Sequence, residues 1–164
     1  MKTILAPIDF SEVSRRVIAE AVALTRMIHA RLVIIHIVQP PIVTDSDVGS
    51  RMSAEYSAAA SASAARHLTR LQNRLLEKGL PMETRHEVGY PGQLIIDCAE
   101  KLSADYIVLG SHGHGSFYDL IVGSTTGRVL KQARCPVIVV PVGLKKTRKS
   151  KSELYWEPGE DLET

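Results

Sequence analysis

The sequence predicts one three-layer α/β domain, in which a five-stranded parallel sheet carries helices on both faces. Five short apolar segments alternate with four helical patterns, which is the order expected of β-α-β units joined by right-handed crossovers. Most of the strand segments are almost continuously apolar, as in strands that are buried on two faces. With 164 residues the chain is long enough to bury such a core without disulfides or metals.

The first half of the chain contains two strand patterns and two helical ones. The segments "KTILAPID" and "ARLVIIHIVQPP" are apolar runs that end at proline or aspartate, and they predict buried strands. Between them, Ser11 stands where a helix cap is expected, before apolar residues at helical spacing. A second helix is predicted through "SAEYSAAASASAARHLTRLQNRLLEKG", with Gly79 as its stop. The preceding stretch "VTDSDVGSRMS" predicts a long irregular flap.

The second half repeats this alternation. "METRHEV" predicts a strand near an edge, and Pro91 suits the first turn of a third helix. "DYIVLG" and "CPVIVVPV" predict two more buried strands, separated by a fourth helix that starts near Ser124. The domain is therefore expected to span residues 1–142. Residues 143–164 form a charged tail, which we expect to be mobile or to dock through Tyr155 and Trp156.

Composition disfavours several classes of function. A formal net charge of +2 is too small for a strong field that attracts polyanions, and 5% aromatic residues is low for a protein that stacks on nucleic-acid bases. We therefore expect no nucleic-acid partner and no membrane insertion. The first apolar run is too short for a signal peptide, which predicts a cytoplasmic protein. Cys98 and Cys135 are expected to be small buried residues and not a disulfide.

One segment concentrates backbone that carries no side chain. "GSHGHGSFYDLIVGSTTGRV", residues 110–129, holds five of the eleven glycines, in a G-x2-G-x9-G-S pattern. Gly110 closes a strand, and Gly123 and Ser124 stand where the N–H groups of a helix start favour an anion. Phosphate fits this combination, with Ser124, Thr125 and Thr126 as hydroxyl donors. Glycines after a strand are also common in loops that bind nothing. The spacing alone is therefore compatible with a phosphate-binding loop and with a loop that has no ligand.

The fold selects which other residues could join this segment. In open parallel sheets, ligands bind beyond the carboxyl ends of the strands, where the strand order reverses. The rule selects Pro7 to Asp9, Ile37 to Gln39, and the segment after Leu109. The Asp9 carboxylate could accept hydrogen bonds from a ligand, or it could cap the first helix, and the sequence favours neither.

The histidines do not form a recognised metal-binding motif. His112 and His114 lie in "SHGHG", but no spacing such as H-E-x-x-H or paired C-x2-C accompanies them. His36, on the second strand, is expected to be a satisfied core histidine. No metal ligand is therefore predicted.

The segments "ILAPIDFSE", "IIHIV", "GSHGHGSFYDLIVGS" and "RCPVIVVP" together resemble the universal stress protein family, in the family's order and from Met1 to about Val142. The glycine pattern resembles that of the ATP-binding subgroup. The resemblance implies a Rossmann-like fold of the adenine nucleotide alpha hydrolase-like type, with Mg²⁺ or Mn²⁺ carried on the phosphates in some members. It also implies a homodimer that pairs through the fifth strand. The positions that the resemblance implies for contacts with the adenine, the ribose and the phosphates are Pro7, Asp9, Ile37, Gly110, Gly113, Gly123, Ser124 and Thr125.

Three functions are compatible with these residues. The first is an ATP-binding regulatory module of the stress response, which changes its contacts with a protein partner when nucleotide is bound. The second is a slow ATP hydrolase or nucleotidyl transferase, although the glycine segment lacks the lysine of a phosphate loop. The third is a dimeric stress protein without a ligand, which the intact glycine pattern disfavours. The sequence therefore predicts a nucleotide-binding protein that is at most a weak ATPase.

Overall fold

A computed structural model describes residues 1–41, 47–111 and 123–141, with the backbone alone for 47–51. Strands and helices alternate along the chain as the sequence predicts. The elements are β1 (Thr3–Ile8), α1 (Glu12–Met27), β2 (Arg31–Val38), α2 (Asp47–Glu77), β3 (Met82–Val88), α3 (Pro91–Lys101), β4 (Tyr106–Gly110), α4 (Ser124–Gln132) and β5 (Val137–Val140).

The five strands form one parallel sheet in the order β3-β2-β1-β4-β5. β1 lies in the centre, where it pairs with β2 on one side and with β4 on the other. The chain builds one half of the sheet outward from β1 to β3, then crosses back to add β4 and β5. The expected α/β fold with a five-stranded parallel sheet is thereby confirmed.

The helices cover the two faces of the sheet as separate layers. Because successive side chains of a strand point to opposite faces, Ile4 and Ala6 pack beneath α1 and α2. Leu5 of the same strand packs on the other face with residues of α3 and α4. All three side chains are fully buried. The nearly continuous apolar sequence of β1 and β2 is therefore explained by burial on both sides.

The helix ends follow the sequence signals. Ser11 is the N-cap residue of α1, and Pro91 begins α3 at a position where its missing N–H costs no intrahelical bond. Gly79 follows α2 with φ +72°, a conformation that favours glycine, and its N–H donates to the carbonyl of Leu76 at 2.8 Å. These three signals place the start of α1, the end of α2 and the start of α3 within a residue or two.

The prediction of a long irregular flap over residues 43–53 is partly wrong. Residues 47–53 belong to α2, which begins at Asp47 and continues for 31 residues. Extending an existing helix adds one hydrogen bond for each residue that is fixed, so propagation from the alanine-rich segment outweighs the modest cost of Gly49. Residues 42–46 lie outside the described residues, as does the tail from residue 143.

The two edge strands differ in chemistry. β3 carries Glu83, Arg85 and Glu87, and charged side chains protect an edge from pairing with other chains. β5 has the sequence VIVV and pairs only with β4 among the described strands. Its Ile138 is 39% exposed. The apolar edge of the sheet is therefore the edge formed by β5.

Candidate functional site

The strand order reverses at the centre of the sheet, between β1 and β4. β1 leads away toward β2, whereas β4 leads toward β5, so the loops at the carboxyl ends of β1 and β4 diverge and leave a crevice between them. Pro7 and Asp9 lie on the β1 side of this crevice and Gly110 ends β4. In the pairing of β1 with β2, Ile8 is opposite His36, so Ile37 lies level with the end of β1. The sheet thus brings together four of the predicted site residues.

The Asp9 carboxylate is bound to the start of α1. Its Oδ1 accepts hydrogen bonds from the N–H of Ser11 at 3.0 Å, from the hydroxyl of Ser11, and from the hydroxyl of Ser14 at 2.9 Å. Ser14 is only 1% exposed, and the N–H of Asp9 donates to its oxygen at 3.2 Å. Ser11 itself makes no side-chain cap bond to the helix. The structure thus shows the Asp9 carboxylate bonded to Ser11 and Ser14 at the start of α1, while a contact with a ligand stays a prediction.

The start of α4 lies at the same edge of the sheet. Gly123 is its N-cap residue, with φ −56° and ψ 155°, and a glycine has no side chain with which to cap the helix. The N–H of Gly123 donates to the carbonyl of Ser111 at 2.9 Å, and the N–H of Ser111 donates to Val140 at 2.8 Å. The first N–H groups of a helix have no intrahelical acceptor. Ser124 is exposed and Thr125 half-buried, so this end of α4 is suited to receive an anion.

Thr126 has a structural role and is not the phosphate donor that the sequence suggested. Its side chain is 4% exposed, and its hydroxyl donates to the carbonyl of Gly110 at 2.8 Å. This bond joins the first turn of α4 to the last residue of β4. The hydroxyl is used inside the protein because the helix packs directly over the end of the strand. Sequence spacing could not separate this hydroxyl from those of its two neighbours.

Replacing Thr126 by valine should loosen the junction between β4 and α4. Valine has nearly the same shape but leaves the carbonyl of Gly110 without this partner, which should cost about 1 to 3 kcal/mol of unfolding free energy. Chemical denaturation measures the change. Thr69→Val is the matched control, because the hydroxyl of Thr69 also donates to a backbone carbonyl but on an exposed helix face. Equal losses in the two variants would contradict the structural role.

His36 lies beside the crevice and is satisfied, as the sequence predicts. Its Nδ1 lies 3.0 Å from the carbonyl oxygen of Ile8. The neutral ring donates a hydrogen bond to this oxygen when its one N–H is on Nδ1. Burial is the main cause that lowers the pKa of His36, and it outweighs the opposing effects of that bond and of the Asp9 carboxylate. His36 is therefore favoured in its neutral form, next to the residues that form the end of β1.

The described part of the chain contains no group of three or more histidine, cysteine or acidic side chains that could hold a metal ion. Gly113, His112 and His114 lie outside the described residues. Cys98 is buried, Cys135 is half-buried, and both thiols are free. No helix among the described residues is long and apolar enough to span a membrane.

Comparisons with known proteins agree on one protein family. Residues 1–141 match the model of the universal stress protein family. The chain is 30% identical to universal stress protein A homolog 1 of Coxiella burnetii over 141 residues, 85% of this chain and 95% of that protein. It is 31% identical to universal stress protein MJ0531 of Methanocaldococcus jannaschii over 150 residues, 90% of this chain and 84% of that protein.

Solved structures have the same fold. Universal stress protein UspA from Lactobacillus plantarum superimposes with a TM-score of 0.74 at 28% identity, over 85% of this chain and 97% of that one. Two more distant structures were solved with an adenine nucleotide. One is a universal stress protein in complex with cAMP, with 22% identity, a TM-score of 0.54 and coverage of 85% and 95% of the two chains. The other, from Arabidopsis thaliana, has AMP bound, with 16% identity, a TM-score of 0.62 and coverage of 93% and 99%.

Proposed function

Since the chain belongs to the universal stress protein family, we propose that it binds ATP or another adenine nucleotide at the carboxyl edge of its sheet and acts as a regulatory module. The observation that carries the proposal is the joining of three segments at one crevice. The end of β1 lies beside the end of β4 in the sheet, and Thr126 and Gly123 join the end of β4 to the start of α4. Relatives of the same fold that hold AMP or cAMP support the choice of an adenine nucleotide.

The phosphates are assigned to the start of α4. Backbone N–H groups at a helix start point outward and carry partial positive charge, which is why anions bind at such places. Gly123 presents no side chain in that space, and Ser124 and Thr125 add hydroxyl donors. Gly113 is proposed to lie beside the ribose and phosphates on the strength of the glycine pattern alone. Any Mg²⁺ or Mn²⁺ would be held on the phosphate oxygens of the nucleotide.

The sugar and base are assigned to the strand ends. Gly110 lets the ribose approach the end of β4 without meeting a Cβ atom. Pro7 and Asp9 are proposed to border the ribose and adenine, and the backbone of Ile37 to meet the adenine at the end of β2. Asp9 uses Oδ1 to hold the helix start, so Ser11 and Ser14 help to orient its carboxylate before any ligand binds.

We expect bound ATP to be hydrolysed slowly or not at all. Phosphoryl transfer needs a charged clamp, a held metal and a positioned water or base. The cations of α4 itself are Arg128 and Lys131, both on exposed positions of the helix. The stem of Arg128 packs over Gly92 of α3, since a Cβ on that glycine would lie 2.7 Å from Cδ of the arginine. Neither residue is placed as a clamp.

The measurement is retention of intact triphosphate during a long incubation with magnesium. Multiple turnovers each minute, lost on substitution of Asp9 or Ser124, would make the hydrolase reading the better one. Turnover that survives both substitutions would point to a contaminating enzyme.

A nucleotide assay on freshly purified protein separates the three candidate functions. Mass spectrometry of the extracted small molecules shows what co-purifies, and calorimetric titration with ATP, ADP, AMP and cAMP shows which ligand binds best. Binding without turnover supports the regulatory module, whereas no binding to the apo protein supports a ligand-free dimer. The nucleotide-dependent partner and a cytoplasmic location stay predictions, as does the assignment of residues 143–164 to a separate tail.

A further inference from the structure

Phe10 occupies an unusual backbone conformation at the edge of the proposed site. It directly follows Asp9 in the turn from β1 to α1, and its φ is 61°. Residues other than glycine, asparagine and aspartate are uncommon in this region of φ. The conformation costs free energy, which contacts with the surrounding residues must offset. The contacts that hold Phe10 therefore also fix the turn that carries Asp9.

Two histidines from different elements hold the Phe10 ring. The ring of His36, on β2, stacks on it with 4.4 Å between ring centroids and a tilt of 35°. His67, on α2, meets it edge-on, with 5.3 Å between centroids and an angle of 80°. His36 is also tied to the end of β1 through the carbonyl of Ile8. We call this arrangement the His36–Phe10–His67 stack.

Charged and titratable groups surround both histidines. Asp9 faces His36 from the β1–α1 turn, His67 faces it from α2, and His86 lies opposite it on β3. His67 has Arg66 and Arg70 as neighbours on its own helix. Burial, followed by these positive neighbours, lowers the pKa of His67, and burial likewise lowers the pKa of His36. The lowered pKa values therefore favour the neutral form of both imidazoles.

We propose that the His36–Phe10–His67 stack is a pH-sensitive positioning device, which holds Asp9 in place when both histidines are neutral and releases it when they are protonated. The consequence for ligand binding rests on the proposed nucleotide site. Affinity for nucleotide is set, in part, by how well the β1–α1 turn is held. A fall in pH thus weakens nucleotide binding without any change in the residues that touch the phosphates.

Protonation displaces the turn in two ways. Positive charges on His36 and His67, which both contact the Phe10 ring, repel each other. An imidazolium at His36 also attracts the Asp9 carboxylate, in competition with Ser11 and Ser14. Once its ring is no longer held, Phe10 relaxes from its left-handed conformation. Both effects move Asp9 away from the start of α1.

The direction of the pH effect follows from the lowered pKa values. A histidine whose pKa is lower in the folded protein binds its proton more readily in the unfolded chain, where the pKa is about 6.5. Its contribution to stability is complete above that pH and is lost as the pH falls through it toward the folded value. The turn should therefore loosen as the pH falls below about 6.5.

The test compares three variants with the parent. His36→Asn places an amide N–H near the position of Nδ1, so it can still donate to Ile8 but cannot become charged. His67→Gln removes the second charge and keeps a good helix former, and it serves if His36→Asn folds poorly. His29→Asn is the matched control, because His29 is exposed, follows α1 at the opposite edge of the sheet, and has φ 51°, which asparagine tolerates.

Two measurements are needed, one of them without nucleotide. In the ligand-free parent, the amide NMR signals of Asp9 and Ser11 should move with the titration of His36, and they should move less in His36→Asn. ATP affinity should fall several-fold in acid for the parent and for His29→Asn, by up to about tenfold for each unit that binding shifts the histidine pKa. The fall should be smaller in His36→Asn and His67→Gln.

Equal pH profiles in the parent, His36→Asn and His67→Gln would overturn the proposal. So would amide signals of Asp9 that do not respond to pH. A protein that binds no nucleotide at any pH overturns the proposed function and, with it, the predicted effect on affinity. The amide signals still decide independently whether the stack controls the turn, so the two failures are distinguishable.

Discussion

Gly123→Val is expected to abolish nucleotide binding while leaving the fold intact. The glycine is the N-cap residue of α4 with φ −56° and ψ 155°, a backbone conformation that valine also adopts. The substitution therefore adds no strain from a positive φ. Its effect on nucleotide binding then shows whether the ligand needs the space beside Gly123. The valine side chain would occupy the volume in front of the helix start, where the phosphates must approach the N–H groups.

Ser124→Ala should have a smaller effect at the same place. It removes a hydroxyl donor but leaves the backbone N–H groups of the helix start. The loss is about 0.5 to 1.5 kcal/mol for a neutral hydrogen bond and up to about 3 kcal/mol for one to a charged phosphate. A titration with ATP should thus separate the two variants, with Ser124→Ala weakened and Gly123→Val without measurable binding.

Gly127→Ala is the matched control for the glycine substitution. It lies one helical turn further along α4, and an added Cβ there meets no described residue from outside the helix within 4 Å. It should bind ATP like the parent and, because alanine favours helix, be slightly more stable. Circular dichroism establishes that all three variants fold. If folded Gly123→Val binds ATP as well as the parent does, the phosphates do not bind at the start of α4.

Val139→Lys is expected to weaken a homodimer of this protein. We propose that two copies pair through β5, because this edge strand has the sequence VIVV and lacks the charges that protect β3. Val139 is half-buried, so a lysine there would bring a charge into the pairing surface or disturb the strand face. Light scattering at high micromolar concentration measures the mass of the parent and of the variant.

Two further variants make this test of the dimer decisive. Ile138→Lys changes a residue that is 39% exposed on the same strand, so it disturbs the monomer less and should also weaken the dimer. Leu130→Lys changes a residue that is 46% exposed on α4, and it should leave the mass unchanged. A parent that is monomeric at these concentrations, or a dimer that survives both β5 substitutions, would contradict pairing through β5.

The sequence by itself determined the order and type of the elements. Apolar runs buried on both faces, such as those of β1 and β2, can be recognised locally because a parallel strand needs no polar side. Pro91, Gly79 and Ser124 marked helix ends because their backbone requirements are local as well. The start of α2 at Asp47 was missed, since helix propagation from a strong neighbouring segment overrides weak local signals.

The tertiary structure decided what the side chains at the site do. Sequence grouped Thr126 with Ser124 and Thr125 as hydroxyl donors, but packing of α4 over β4 turns Thr126 toward Gly110. From the sequence, Asp9 could either contact a ligand or cap the first helix. In the structure, its carboxylate accepts a hydrogen bond from the buried Ser14 at the start of α1. The contacts of Phe10 with His36 and His67 connect the β1–α1 turn with β2 and α2. Such partners are distant along the chain, so only the folded arrangement can select them.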